Sequence, residues 1–107
     1  MEHLSSWKQT IESALAARDV DGDHDMSAAH AAFESFLEAL ESGECRAASP
    51  DASGHWHVAR DVKQLILYGF RLGRLVESHS HDAHFCDKHN LWPAQQSLAT
   101  RGIRIVP

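Results

Sequence analysis

The chain has 107 residues, a net charge of −5 and 43% hydrophobic residues, which is ordinary for one globular domain. The negative charge argues against nucleic acid, which needs clustered lysine and arginine. No apolar run reaches the ~18 residues of a membrane span. Two cysteines, Cys45 and Cys86, form no disulfide framework, and the amphipathic N-terminal sequence is unlike a signal peptide. We therefore expect a single cytoplasmic domain over residues 1–107.

Three segments have the apolar spacing of helices. The first runs from about Leu4 to Arg18. The second follows Ser27, a candidate N-cap, and stops at Gly43, which suits a left-handed C-terminal cap. The third starts near Asp61 and is apolar almost all round, which predicts that it forms the buried centre of the domain.

Turn residues separate two short extended runs between the second and third helices. The sequence "PDASG" predicts a small antiparallel β-hairpin there, with Trp56 packed on one face and the hairpin lying against the helices. Beyond the third helix the pattern is irregular until "RGIRIVP", which predicts a β-like C-terminal tail. The predicted fold class is α+β and mostly helical, with three helices, one hairpin and this tail.

Five short motifs follow one another along the chain and resemble the N-terminal domain of tetrahydrodipicolinate N-succinyltransferase. The likeness extends from about residue 33 to the last residue. The motifs are Leu40 to Gly43 with Arg46, Gly54 with Trp56, Lys63 with Phe70 to Leu72, Phe85 with Asp87 and Lys88, and Gly102 to Pro107.

The resemblance implies a function. Enzymes of this family transfer a succinyl group from succinyl-CoA to the amino group of a dicarboxylate, in bacterial lysine and diaminopimelate synthesis. The N-terminal domain would help to bind the dicarboxylate, pack within a trimer and meet a left-handed β-helix domain, in cis or in trans. That β-helix and its hexapeptide repeats are absent through Pro107. We therefore expect no cofactor on this chain and no complete catalysis from it alone, since succinyl-CoA would bind the β-helix domain.

The candidate substrate ligands are arginines. Arg104 matches the family position that holds a substrate carboxylate, which a planar guanidinium can bind through two parallel hydrogen bonds. Arg71, in the Phe-Arg motif, is the second candidate. The alternatives are a solvated arginine on the tail and an ion pair at a helix end. Phe85, Asp87 and Lys88 would form a loop that shapes the site.

The stretch "HSHDAHFCDKHN" holds four of the nine histidines. A strand would bring His79 and His81 to one face and a helix would bring His81 and His84 together, so no single regular element gathers them all. Metal binding through His79, His81, His84 and His89 is therefore an alternative function. A stand-alone protein-interaction or assembly module is another. We also hypothesise that protonation near pH 6 alters this loop.

Overall fold

The computed structural model describes residues 3–91 and 97–106 of the chain. It contains three helices and two antiparallel hairpins, so the predicted α+β, mostly helical fold class is confirmed. Within these ranges no helix is both long enough and apolar enough to cross a membrane. The elements are α1 (His3–Asp21), α2 (Ser27–Ser42), β1 (Ala48–Pro50), β2 (Trp56–Val58), α3 (Arg60–Leu72), β3 (Leu75–Ser80) and β4 (Ala83–Lys88).

The hydrophobic core lies where the three helices meet. Burial of each large apolar side chain there stabilises the fold by roughly 1.5–3 kcal/mol. The helices are therefore the rigid body to which the hairpins are attached. Each helix supplies two of the most buried large side chains: Ile11, Leu15, Phe33, Phe36, Val62 and Leu65.

Helix α3 is amphipathic, so the prediction that it forms the buried centre of the domain holds for only one of its faces. It packs on α1 and α2 through one stripe, while Leu67 and Phe70 are 46% and 49% exposed on the other side. Two neighbouring helices cover only one face of a third, and in the described residues nothing covers the rest. The stripe consists of Val62, Leu65, Gly69 and Leu72.

Of the two predicted caps of α2, the structure confirms the C-terminal one and not the N-terminal one. Gly43 has φ of 83° and its N–H donates to the Leu40 carbonyl oxygen, which confirms the left-handed C-terminal cap. The prediction of Ser27 as N-cap is wrong, because Met26 occupies that position. Instead, the Asp25 carboxylate accepts hydrogen bonds from the Ser27 backbone N–H and hydroxyl, at 3.0 and 2.6 Å.

The predicted first hairpin is confirmed, with β1 antiparallel to β2 and Pro50 opposite Trp56. Its predicted packing is wrong. Trp56 and Val58 are both 70% exposed, and neither strand buries a residue against the helices. The hairpin therefore projects from the helical body, and its stability must come largely from its own turn.

The Asp51 carboxylate organises that turn. Its Oδ1 accepts the Ser53 hydroxyl at 2.6 Å and the backbone N–H groups of Ser53 and His55 at 2.9 and 3.0 Å. Its Oδ2 lies 2.7 Å from Nε2 of His57. The Ser53 hydroxyl, followed by the His57 ring and the backbone N–H groups, lowers the pKa of Asp51 to about 2.

We expect the hairpin to lose this support only in strong acid. Because the pKa of Asp51 is lower when folded than its ordinary value near ~4, its contribution is complete above about pH 4 and is lost as the pH falls through about 2. A carboxyl-carbon NMR titration measures the midpoint. In Asp51→Asn, the Trp56 amide resonance should move to the chemical shift of an unstructured chain. A midpoint at the ordinary aspartate value would contradict the described turn.

The stretch predicted as an irregular histidine-rich loop is a second hairpin, so that prediction is corrected. Strands β3 and β4 pair without a bulge from Leu75 opposite Lys88 to Ser80 opposite Ala83. His81 stands in the turn with φ of 52°. Residues 103–106 of the predicted β-like tail have no strand partner in the described ranges, and Pro107 lies outside them.

Gly69 allows α3 to approach α2 closely. A Cβ atom at this position would overlap the ring of Phe33, which is 1% exposed and has little room to move. We expect Gly69→Ala to lower the free energy of unfolding by about 1–3 kcal/mol through overpacking, despite the better helix propensity of alanine. Urea unfolding measures the loss.

A double-mutant cycle supplies the control for this prediction. Phe33→Leu makes room at the contact, so Gly69→Ala should cost less in that background than in the natural protein. Equal costs in both backgrounds would contradict the role of the Phe33 ring.

Candidate functional site

A groove of about 650 Å³ runs between the second hairpin and the C-terminal tail. The hairpin lines it with Phe85, Asp87 and Lys88, and the tail lines it with Ile105 and Val106. The structure therefore brings together the three residues predicted to shape the site, and their role stays a prediction. The contribution of Ile105 and Val106 was not predicted, although their position beside Arg104 was a signal for it.

The strand register places Phe85 and Asp87 on one face of the hairpin, while Lys88 borders the groove from the other face. Antiparallel partners share a face, and Phe85 lies opposite Ser78 while Asp87 lies opposite Val76. Phe85 is 54% exposed, so this face offers an apolar ring to a ligand or to another chain. The face thus combines an aromatic surface with one carboxylate.

The side chain of Lys88 attaches the second hairpin to the end of α3. Its ammonium donates to the Gly73 carbonyl oxygen at 3.2 Å, just beyond the end of α3. Its backbone N–H donates to the Asp87 carboxylate at 2.7 Å. These two residues form no ion pair with each other in the described part of the chain, in agreement with their facing opposite sides of a strand.

Arg104 is exposed and immediately precedes the two tail residues that line the groove. Among the described residues its guanidinium has no hydrogen-bond or ion-pair partner. By contrast, Arg101 of the same tail donates to Glu41 of α2 at 2.6 Å. The tail is therefore tied to the helices by Arg101, whereas Arg104 adjoins the groove-lining residues in sequence and does not itself line the groove.

Arg71 is not brought into the groove. Its guanidinium lies 3.2 Å from the Asp19 carboxylate, and its carbonyl oxygen accepts a hydrogen bond from Arg18 at 3.1 Å. These contacts join the ends of α1 and α3. The ion pair at a helix end, which was the alternative interpretation, is present at this position, and a substrate contact by Arg71 stays a prediction.

The segment after β4 holds the groove in place. His89 exchanges two hydrogen bonds with Arg74: its N–H donates to the carbonyl oxygen at 2.9 Å, and its Nδ1 accepts from the backbone N–H at 3.1 Å. The Asn90 amide donates to the Gly69 carbonyl oxygen at 3.0 Å. Leu91 packs against the core. His89 thus closes the base of the hairpin, while Asn90 and Leu91 fix it to α3 and the core.

His30 of α2 adds a contact that responds to pH. Its ring lies 5.5 Å from the His89 ring in an edge-on arrangement. Burial, followed by the charges of His89, Arg18 and Arg74, lowers the pKa of His30, and Glu34 only partly opposes this. The folded protein therefore favours a neutral imidazole where the segment after β4 meets α2.

We expect the free energy of unfolding to fall in mild acid through His30. Its pKa is lower in the folded state than the ordinary ~6.5, so its contribution is complete above that pH and declines as the pH drops below it. Urea unfolding at a series of pH values should show a shallower decline for His30→Gln. The control is His24→Gln, in the exposed loop between α1 and α2. Equal declines in the two variants would contradict the assignment.

The four histidines of the alternative metal site are spread over three surroundings. His79 and His84 pair across the strands, with ring centroids 5.9 Å apart. His81 is in the turn, and His89 is held by Arg74. In the conformations seen over residues 3–91 and 97–106, no three His, Cys, Asp or Glu side chains surround a common point. These four residues do not form one cluster.

The features above describe a small helical domain with an open groove along its second hairpin. The family model described as tetrahydrodipicolinate N-succinyltransferase N-terminal matches residues 6–72. This is more than half of the chain, and the chain belongs to that family. The predicted resemblance is confirmed by this match, which contains the first three of the five motifs, while the motifs at Phe85 to Lys88 and Gly102 to Pro107 lie outside it.

Similar proteins bear the name 2,3,4,5-tetrahydropyridine-2,6-dicarboxylate N-succinyltransferase. A protein of Jannaschia sp. is 42% identical over 62 residues, covering 58% of this chain and 22% of the relative. One of Rhodopseudomonas palustris (strain BisA53) is 38% identical over 73 residues, covering 68% and 26%. One of Brucella ovis is 38% identical over 69 residues, covering 64% and 24%. The chain thus spans about a quarter of the length of these relatives.

The match and the groove fall on different parts of the chain. The family model ends at Leu72, the last residue of α3, whereas the groove is built from residues after β3 begins. The helices and the first hairpin therefore carry the family match, and the groove lies outside the matched residues.

Proposed function

We propose that this chain is the substrate-side domain of a tetrahydrodipicolinate N-succinyltransferase and that its groove binds a small dicarboxylate. The observation that carries the proposal is Arg104, an exposed guanidinium without a partner among the described residues, next to Ile105 and Val106 in the groove wall. A guanidinium presents two parallel N–H donors in the geometry that a carboxylate accepts. Arg104 is therefore the residue that holds a substrate carboxylate.

The rest of the groove suits the remainder of an aminodicarboxylate. The Phe85 ring and the tail residues Ile105 and Val106 provide an apolar surface for a methylene chain. The Asp87 carboxylate, which uses Oδ1 for the Lys88 backbone N–H, keeps Oδ2 for the amino group. One cation, one carboxylate and an apolar wall thus match the chemistry of such a ligand.

The proposal includes a partner for the exposed apolar surface. Leu67 and Phe70 on α3 and Leu75 at the start of β3 are 46%, 49% and 64% exposed. We assign this surface to a left-handed β-helix domain, in cis or in trans, or to a neighbouring subunit of a trimer. That β-helix would bind succinyl-CoA and complete the transfer in lysine and diaminopimelate synthesis.

Binding of 2-aminopimelate tests the proposal. Equilibrium dialysis is done with the full chain, alone and with a family β-helix domain added in trans. We expect Arg104→Lys to weaken binding by about 10-fold or more, because a lysine keeps the charge but loses the two-point hydrogen bond. Arg101→Lys is the matched control, since Arg101 is committed to Glu41.

Two results would contradict the proposal. One is unchanged affinity in Arg104→Lys, and the other is the same weakening in Arg101→Lys. No gain in affinity when the β-helix domain is added would remove the proposed partner.

A protein-interaction or assembly module is the second candidate. The exposed Trp56 and Val58 favour it, because the first hairpin projects from the helical body and plays no part in the groove. Large apolar side chains presented in this way are typical of contact surfaces. A stable oligomer by light scattering that lacks 2-aminopimelate binding and is dissociated by Trp56→Ser would favour this function over the first.

A further inference from the structure

One face of the second hairpin collects four side chains of metal-ligand type. Strand register places Glu77 opposite Cys86 and His79 opposite His84, and residues two apart on a strand share a face. All four are exposed, and they line one cavity of about 460 Å³. This face, defined by Glu77, His79, His84 and Cys86 and called here the ligand face, is the side of the hairpin that does not carry Phe85.

The backbone spacing of the ligand face suits one small cation. Directly opposed Cβ atoms in an antiparallel pair are about 4.5–5.5 Å apart, and residues two apart on a strand are separated by about 7 Å. The ring centroids of His79 and His84 are 5.9 Å apart. Two imidazoles on a tetrahedral zinc ion, with Zn–N of about 2.0–2.1 Å, have centroids about 5 Å apart. The two rings are therefore within about 1 Å of the centroid separation that one shared ion requires.

The third ligand requires a rotation of its side chain. In the conformations seen, no three such groups of the described residues surround a common point. However, Cys86 stands two residues from His84 on the same strand and is exposed and free of a disulfide. Exposed side chains exchange rotamers within picoseconds to nanoseconds. The strand register therefore already fixes the Cβ positions of the ligand face, and only side-chain rotation is needed to complete the metal site.

We propose that the ligand face binds one thiophilic transition-metal ion, of which Zn²⁺ is the natural case, through His79, His84 and Cys86. Imidazole and thiolate ligands select zinc or copper over magnesium and calcium. Glu77, opposite Cys86, or a water molecule supplies the fourth ligand. His81 in the turn and His89 beyond β4 take no part. The site lies on the face of the hairpin opposite Phe85, although His84 and Cys86 also border the groove.

Metal titration of the full chain tests this site. Isothermal titration with zinc chloride, with a phosphine as reductant, should give one ion per chain. In His79→Ala and in His84→Ala, the affinity for zinc should fall by roughly 10-fold or more. Even the loss of a residue that only supports a ligand typically causes a fall of this size. His81→Ala is the matched control, since it removes the nearest histidine outside the ligand face.

Cobalt substitution separates the thiolate from the imidazoles. The natural chain with Co²⁺ should show a thiolate-to-metal charge-transfer band in the near ultraviolet, and Cys86→Ser should lose it. Far-ultraviolet circular dichroism of each variant shows whether the helices remain intact. Absence of zinc binding by the natural chain, unchanged affinity in His84→Ala, or an equal loss in His81→Ala would overturn the proposal, whatever the groove binds.

Discussion

The close approach of three chain segments at the C-terminal end of α3 is the contact on which the rest of the structure depends. Gly69 and Gly73 lie one turn apart, and each has a neighbour where a Cβ atom would stand: the Phe33 ring at Gly69 and the Asn90 amide at Gly73. The same Asn90 side chain donates to the Gly69 carbonyl oxygen. Without the two glycines, α2 and the segment after β4 could not both reach α3.

This contact fixes the position of the second hairpin relative to the helical core. Strands β3 and β4 bury no residue against the helices, so residues 88–91 provide their attachment to the helical body in the described part of the chain. The ligand face and the side that carries Phe85 are opposite sides of this one hairpin, and His84 and Cys86 of the ligand face also border the groove. Their separation follows from the two-residue period of a strand, and their orientation follows from the anchor at α3.

The charged side chains divide into those that join helices and those that face solvent. Ion pairs connect Lys8 with Asp61 and Arg71 with Asp19, both between α1 and α3. Such exposed pairs contribute little to stability, with a typical value of about 0–1 kcal/mol. Their effect here is on function: an arginine already held by an aspartate is less available to a substrate. Arg104 differs from Arg71 in this respect.

The sequence by itself determined the helical elements and the family. Apolar spacing every three to four residues is a local property, and it marked all three helices, while Gly43 marked the end of α2. The motifs in order along the chain identified the family before any fold was known. The first hairpin was also recognisable, because its turn residues are local signals. These features need only neighbours a few residues apart.

Tertiary structure decided the remaining features, because these features depend on which residues distant in sequence come into contact. In the second hairpin both faces carry polar residues, so the alternation that reveals a strand is hidden, and only the cross-strand register shows that His79 faces His84. Likewise, whether Trp56 is covered, whether Arg71 meets an acid and whether Arg104 stays available depend on how the elements are placed in space. Packing at Gly69 and Gly73, between segments about 20 to 40 residues apart in sequence, sets that placement.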